Sequence, residues 1–282
     1  MKNISFIKYL CLLFSAILFS CSSDDSQSTI SDSELNDVKL VQTISNQAHQ
    51  IEIYTPTGLL FSGYNNIYIR IKNLDGLYEA VTNISWLPMM HMTSHAHSAP
   101  NSKITQSSIA KNTYEGYIVF QMPSNSSEYW DLQINYELNN VSYQVTEKIE
   151  VNQAANRNVQ TFTGADNVKY VLAMVEPSAP KVAVNNIAAV LYEMKNMTSF
   201  EVANNYTIKI DPRMPSMGNH SSPNNQNLVQ GIDTFYYGKL SLTMTGYWQI
   251  NLQVINASNE VVKGEQITDL TPSSSIYFDL EF

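Results

Sequence analysis

Past position 21 this 282-residue chain contains no cysteine; Cys11 and Cys21 are its only two. Everything beyond them is therefore without a disulfide, a thiolate metal ligand or a cysteine nucleophile, and stability there must come from core packing. Basic residues are also scarce. There are 16 Lys and Arg against 25 Asp and Glu, a formal charge of −9, which becomes −11 once Lys2 and Lys8 are set aside. That sign argues against a nucleic-acid partner, although it draws cations non-specifically. Long apolar runs are few, and Tyr9 to Phe19 is too short to span a bilayer permanently. No convincing helical period appears beyond that segment. There is no Gly-x-Ser-x-Gly elbow, no phosphate-cradling Gly loop and no metal motif with an attached general base, so no enzyme is expected.

What is present begins with an address. Lys2 and Lys8 flank the apolar run, and Leu18-Phe19-Ser20-Cys21 looks like a bacterial lipoprotein signal, cleaved before Cys21 and lipidated on it. Ser22-Ser23-Asp24-Asp25 resembles the sorting and export signals of Bacteroidetes outer-membrane lipoproteins. The expected organisation is a signal peptide over 1–20 and a lipidated, flexible tether over 21–37. The chain would then hold to the outer membrane by lipid, facing the periplasm or the cell surface.

The rest reads as strands, twice over. Ile67, Ile69 and Ile71 alternate with Tyr68, Arg70 and Lys72; Trp130, Leu132, Ile134 and Tyr136 alternate with polar partners. Leu240, Leu242 and Met244, then Trp248, Ile250, Leu252 and Val254, repeat the pattern. Period-two alternation with polar turns between predicts an all-β fold of half-buried antiparallel strands, arranged as sandwiches. Val38-Lys39-Leu40-Val41 answers Val168-Lys169-Tyr170-Val171, and Asn65-Asn66-Ile67 answers Asn185-Asn186-Ile187. The expected division is two domains, 38–152 and 164–282, joined by a polar linker over 153–163.

Each copy carries methionine and histidine around a proline turn. The first runs from Leu87-Pro88 through Met89, Met90, His91, Met92, His95 and His97; the second places Met214 and Met217 about Pro215, with His220 beyond Gly218. Four of the five histidines lie in these loops. Thioether and imidazole donors together suit a soft ion such as Cu(I) and are poor for Mg²⁺ or Ca²⁺. His95-x-His97 also suits Cu(II) or Zn²⁺ through neutral imidazoles. The plain alternative is that the methionines are adaptable apolar filler and the histidines exposed loop residues. Met122, Met244, Trp130 and Trp248 are expected in the core.

Met-Pro-x-Met followed by His, then a Tyr-x-Gly-x-apolar-x-apolar-x-Met strand, then an aromatic-Trp strand, resembles the YtkA-like / FixH-like family. Met214-Pro215-Ser216-Met217, His220, Gly238, Met244, Gly246 and Trp248 carry the resemblance best, and the first copy has Leu87 where the first Met should stand. The resemblance implies two tandem immunoglobulin-like, CopC-like β-sandwiches. It also implies cation or copper handling, or a part in assembling a membrane cation pump or oxidase; a copper donor or acceptor protein is the partner expected of a Met/His relay. The function expected is capture or relay of copper by the Met/His loops. A non-metal envelope or cell-surface module binding protein or glycan is the alternative, since Tyr and Asn abound.

Overall fold

The computed structural model describes residue 35 and residues 37–282. The signal segment, Cys21 and all but the end of the tether lie outside the described residues. Within them the protein is all-β and holds no α-helix. Left-handed turn positions fall largely to asparagine, as at Asn139, Asn140, Asn167, Asn205 and Asn259. Asn tolerates this backbone by bonding locally, so a chain with only 10 glycines can turn so often.

In the first half, a five-stranded sheet runs in the order Lys39–Ser45, His49–Thr55, Gly63–Asn73, Thr113–Phe120, Thr105–Gln106. A four-stranded sheet faces it, in the order Val141–Ile149, Tyr129–Leu138, Thr82–His91, Ala96–Ser98. Ile51, Ile69, Ile118, Phe120, Trp130 and Ile134 fill the space between. Each such buried side chain contributes about 1.5–3 kcal/mol.

The second half repeats both layers. Val159–Thr163, Lys169–Glu176, Val184–Asn196 and Tyr236–Ser241 answer the first sheet; Val261–Lys263, Tyr247–Ile255, Thr207–Met214 and His220–Ser221 answer the second. Here the layers join, because Gln226–Gln230 pairs with both Tyr236–Ser241 and Thr207–Met214. Trp248, Phe278, Leu228 and Leu252 lie in this second core.

Two expectations change. The segment 153–163 is not irregular throughout: Val159–Thr163 is an edge strand, and Phe162 is buried in the second core. It is this strand, not Lys169–Glu176, that answers Lys39–Ser45, so the match of Val38-Val41 with Val168-Val171 is one strand out. The match of Asn65 with Asn185 stands on geometry. Asn65 Nδ2 donates to the carbonyls of Phe61 and Gly63, and Asn185 Nδ2 to those of Lys181 and Ala183.

The alternation reading also fails locally, for a physical reason. Tyr117-Ile118-Val119-Phe120 is buried on both faces. Ile118 and Phe120 point to the first core, while Tyr117 and Val119 meet Val171, Ala173, Val190 and Tyr192. This third cluster is a seam between the first sheet of each half, and it is closed by a 2.6 Å bond between the Tyr117 and Tyr192 hydroxyls. Strands covered on both sides lose their polar face and read as continuous apolar runs.

Candidate metal centre at the end of the seam

Strand Thr82–His91 sorts the first loop's methionines by face. Met90 is fully buried and sits opposite Trp130, while Met89 and His91 fall on the other face and are partly exposed. His91 Nε2 lies 2.6 Å from Asp131 Oδ2, and its ring stacks on Tyr129 at 4.8 Å. So Met89, Met90 and His91 do not share one point, although the sequence places them side by side.

The chain then turns back. The Met92 N–H donates to the His95 carbonyl at 2.9 Å, and Ala96–Ser98 pairs with the end of the preceding strand, setting His97 opposite Met90. The His97 ring stands edge-on to Trp130 at 5.5 Å. His97 Nδ1 lies 2.8 Å from the Ser98 carbonyl. A carbonyl only accepts, so Nδ1 carries the proton and the neutral ring keeps its lone pair on Nε2. A backbone carbonyl held by the far nitrogen is the usual support of a metal-ligating imidazole. The His95 ring is 6.3 Å from that of His97, and its Nδ1 is 2.8 Å from Ser94 Oγ.

Met92, His95 and His97 line a cleft of about 500 Å³ at the end of the seam. Met122 lines it too, as do Met194 and Met197 from the second half. Met122 also presents its carbonyl to Trp130 Nε1 at 3.0 Å, so its backbone is tied to the core while its side chain is only partly buried. Met194 and Met197 flank the turn between Val184–Asn196 and Ser199–Val202. The Met197 carbonyl accepts from the Ser98 N–H at 2.7 Å, which fixes this turn beside His97. The polar rim includes Gln121 and the exposed Lys169. The sequence signal for the two missed methionines is Met194-Lys195-Asn196-Met197.

The second loop is built to the same plan but closed differently. Met214 sits opposite His220 as Met90 sits opposite His97, and Trp248 Nε1 donates to the Met244 carbonyl as Trp130 does to that of Met122. Pro88 lies opposite Leu132 and Pro212 opposite Ile250, each partner two residues past its Trp. Hence Met90 corresponds to Met214 and Pro88 to Pro212. The alignment of Leu87 with Met214 is corrected, because cross-strand pairing and not the local Met-Pro-x-Met string sets the register.

Met214 is buried, 3% exposed, in the second core. Met217 ends a short 3-10 turn and is 57% exposed. Gly218 does take the left-handed backbone expected of it, with φ 65°. The exposed His220 has its ring 6.4 Å from Trp248 and its Nε2 3.5 Å from Thr243 Oγ1. Met214 and Met217 thus face opposite environments, and neither they nor His220 line the cleft.

Among the described residues no three His, Cys, Asp or Glu side chains come together as a metal site. A site here must draw on methionine sulfur. Four thioethers, Met92, Met122, Met194 and Met197, beside two imidazoles, with no carboxylate in the lining, form a donor set for a soft cation.

No protein-family model matches the chain, and no curated protein matches it. Among solved structures it is similar to a DUF4785 family protein from Legionella pneumophila, with 9% identity and a TM-score of 0.25, over 76% of this chain and 55% of that one. The chain thus spans little more than half the length of that protein. It is similar to a conserved domain protein from Bacillus anthracis, with 11% identity and a TM-score of 0.31, over 84% and 83% of the two chains. It is also similar to a chimeric titin Z1Z2 tandem, with 10% identity and a TM-score of 0.19, over 80% and 95%. None of these likenesses bears on function.

Proposed function

We propose that the protein is a lipid-anchored extracytoplasmic binding protein, not an enzyme, that captures or relays copper as cargo. The observation that carries this reading is the cleft at the end of the seam, where Met92, His95, His97 and Met122 come together and His97 has its Nε2 lone pair free. Thioether sulfur and neutral imidazole favour Cu(I) over the hard divalent cations. The cleft is open at its rim, which suits an ion passed by ligand exchange to a donor or acceptor protein. Anchoring would run through Cys21; no helix among the described residues is long and apolar enough to cross a membrane.

Titration of the purified chain with Cu(I) against a calibrated chelator tests this. The expected result is a dissociation constant tighter than about 1 μM, weakened in H95A and H97A. Affinity no tighter than that, or affinity indifferent to both substitutions, removes the copper reading. One observation favours the non-metal alternative for the second loop alone: Met214 points into the core while His220 stays exposed.

A further inference from the structure

We infer that the two repeats build a single shared soft-metal site, in which Met194 and Met197 of the second half complete the donors of the first, so that one Cu(I) is held per chain and joins the two halves. This rests on the copper reading above and deepens it. The cleft wall is made by both halves: Met92, His95, His97 and Met122 on one side, Met194 and Met197 on the other. These segments lie between 72 residues (Met122 to Met194) and 105 residues (Met92 to Met197) apart in sequence and are brought together by the Tyr117–Tyr192 seam. The turn bearing Met194 and Met197 is tied to the His97 strand by the bond from the Ser98 N–H to the Met197 carbonyl. That bond holds one wall to the other before any ion arrives.

Packing does not account for these two side chains. Met197 is 39% exposed and belongs to none of the three apolar clusters, and Met194 is only partly buried. What sets them apart from the exposed Met217 is their place, on a cleft that two histidines also line. In the second half the corresponding donors do not gather. Met214 is taken into the core, and Met217 projects from a turn. Duplication has therefore produced one site and not two. The exposed Lys169 at the rim sets a limit on the charge the cleft accepts, and a monovalent ion meets less repulsion there than a divalent one.

The test is Cu(I) binding to the full chain, read as both stoichiometry and affinity, for wild type, M194L/M197L, H97A and M217L/H220A. Leucine conserves volume at the two methionines, so the fold is retained, and circular dichroism checks it. The expected result is one Cu(I) per chain, weakened roughly 10–100-fold in M194L/M197L and unchanged in M217L/H220A. X-ray absorption on the loaded chain is expected to show sulfur scattering that falls in M194L/M197L. Unchanged affinity in M194L/M197L beside loss in H97A overturns the shared site and leaves the copper reading standing. Two ions per chain, one of them lost in M217L/H220A, also overturns it. No Cu(I) bound by the wild type overturns both.

Discussion

Met214 and Met217 look alike in the sequence and are held in opposite ways, which gives a sharp mutational contrast. Met214 is 3% exposed, and its Cε comes within 3.2 Å of the place where a β-carbon would stand on Gly246. Met214→Ala removes a buried side chain from the core that also holds Trp248 and Leu280. The expected cost is about 2–5 kcal/mol. Met217 is 57% exposed and belongs to no cluster, so Met217→Ala is expected to stay within about 0.5 kcal/mol. In a chain of this size each kcal/mol shifts the melting temperature by roughly 2–4 °C. Urea titration followed by circular dichroism reads the difference as a change of midpoint at constant slope. Met90→Ala is expected to cost as much in the first half, because Met90 is the counterpart of Met214. If Met217→Ala proved as damaging as Met214→Ala, or both were silent, the register argued from the cross-strand pairs would be wrong.

Two further outcomes follow from buried polar groups. Burial lowers the pKa of His49 from 6.5, with Glu79 opposing in part, and its Nδ1 lies 2.9 Å from the Tyr136 hydroxyl. The unfolded chain therefore takes up this proton first. The stability is present in full above pH 6.5 and is lost as pH falls through the lowered folded value. H49N is expected to flatten the fall in urea midpoint between neutral pH and about pH 5 relative to wild type, and parallel curves for the two proteins would refute the argument. At the seam, Tyr192→Phe strands the Tyr117 hydroxyl and is expected to cost about 1–3 kcal/mol, with the double Phe variant recovering much of it. A double-mutant cycle with no coupling energy would show that the bond contributes nothing.

The strands were legible because alternation is a local signal. Trp130, Leu132 and Ile134 announce an inward face, and their burial follows. The Asn65 and Asn185 match was legible because each amide bonds to its own flanking backbone, which a short string can encode. The loops misled because a sulfur's neighbour is set across strands. Met90 is set opposite His97, and Met214 opposite His220, through pairing that linear spacing does not show. The seam was hidden for a related reason: strands covered on two faces stop alternating, so Tyr117 to Phe120 shows no outer side to dock. The cleft inherits that obscurity, since Met194 and Met197 have meaning only once the seam brings them to His97.

The seam also governs what happens while the chain is being made. Tyr117 and Val119 emerge well before Val171, Ala173, Val190 and Tyr192, the residues that cover them. Until those follow, a nascent chain shows a flat apolar sheet face to water, the kind of surface that stacks on its neighbours. A tandem repeat glued in this way cannot be shortened to one copy without making that transient hazard permanent.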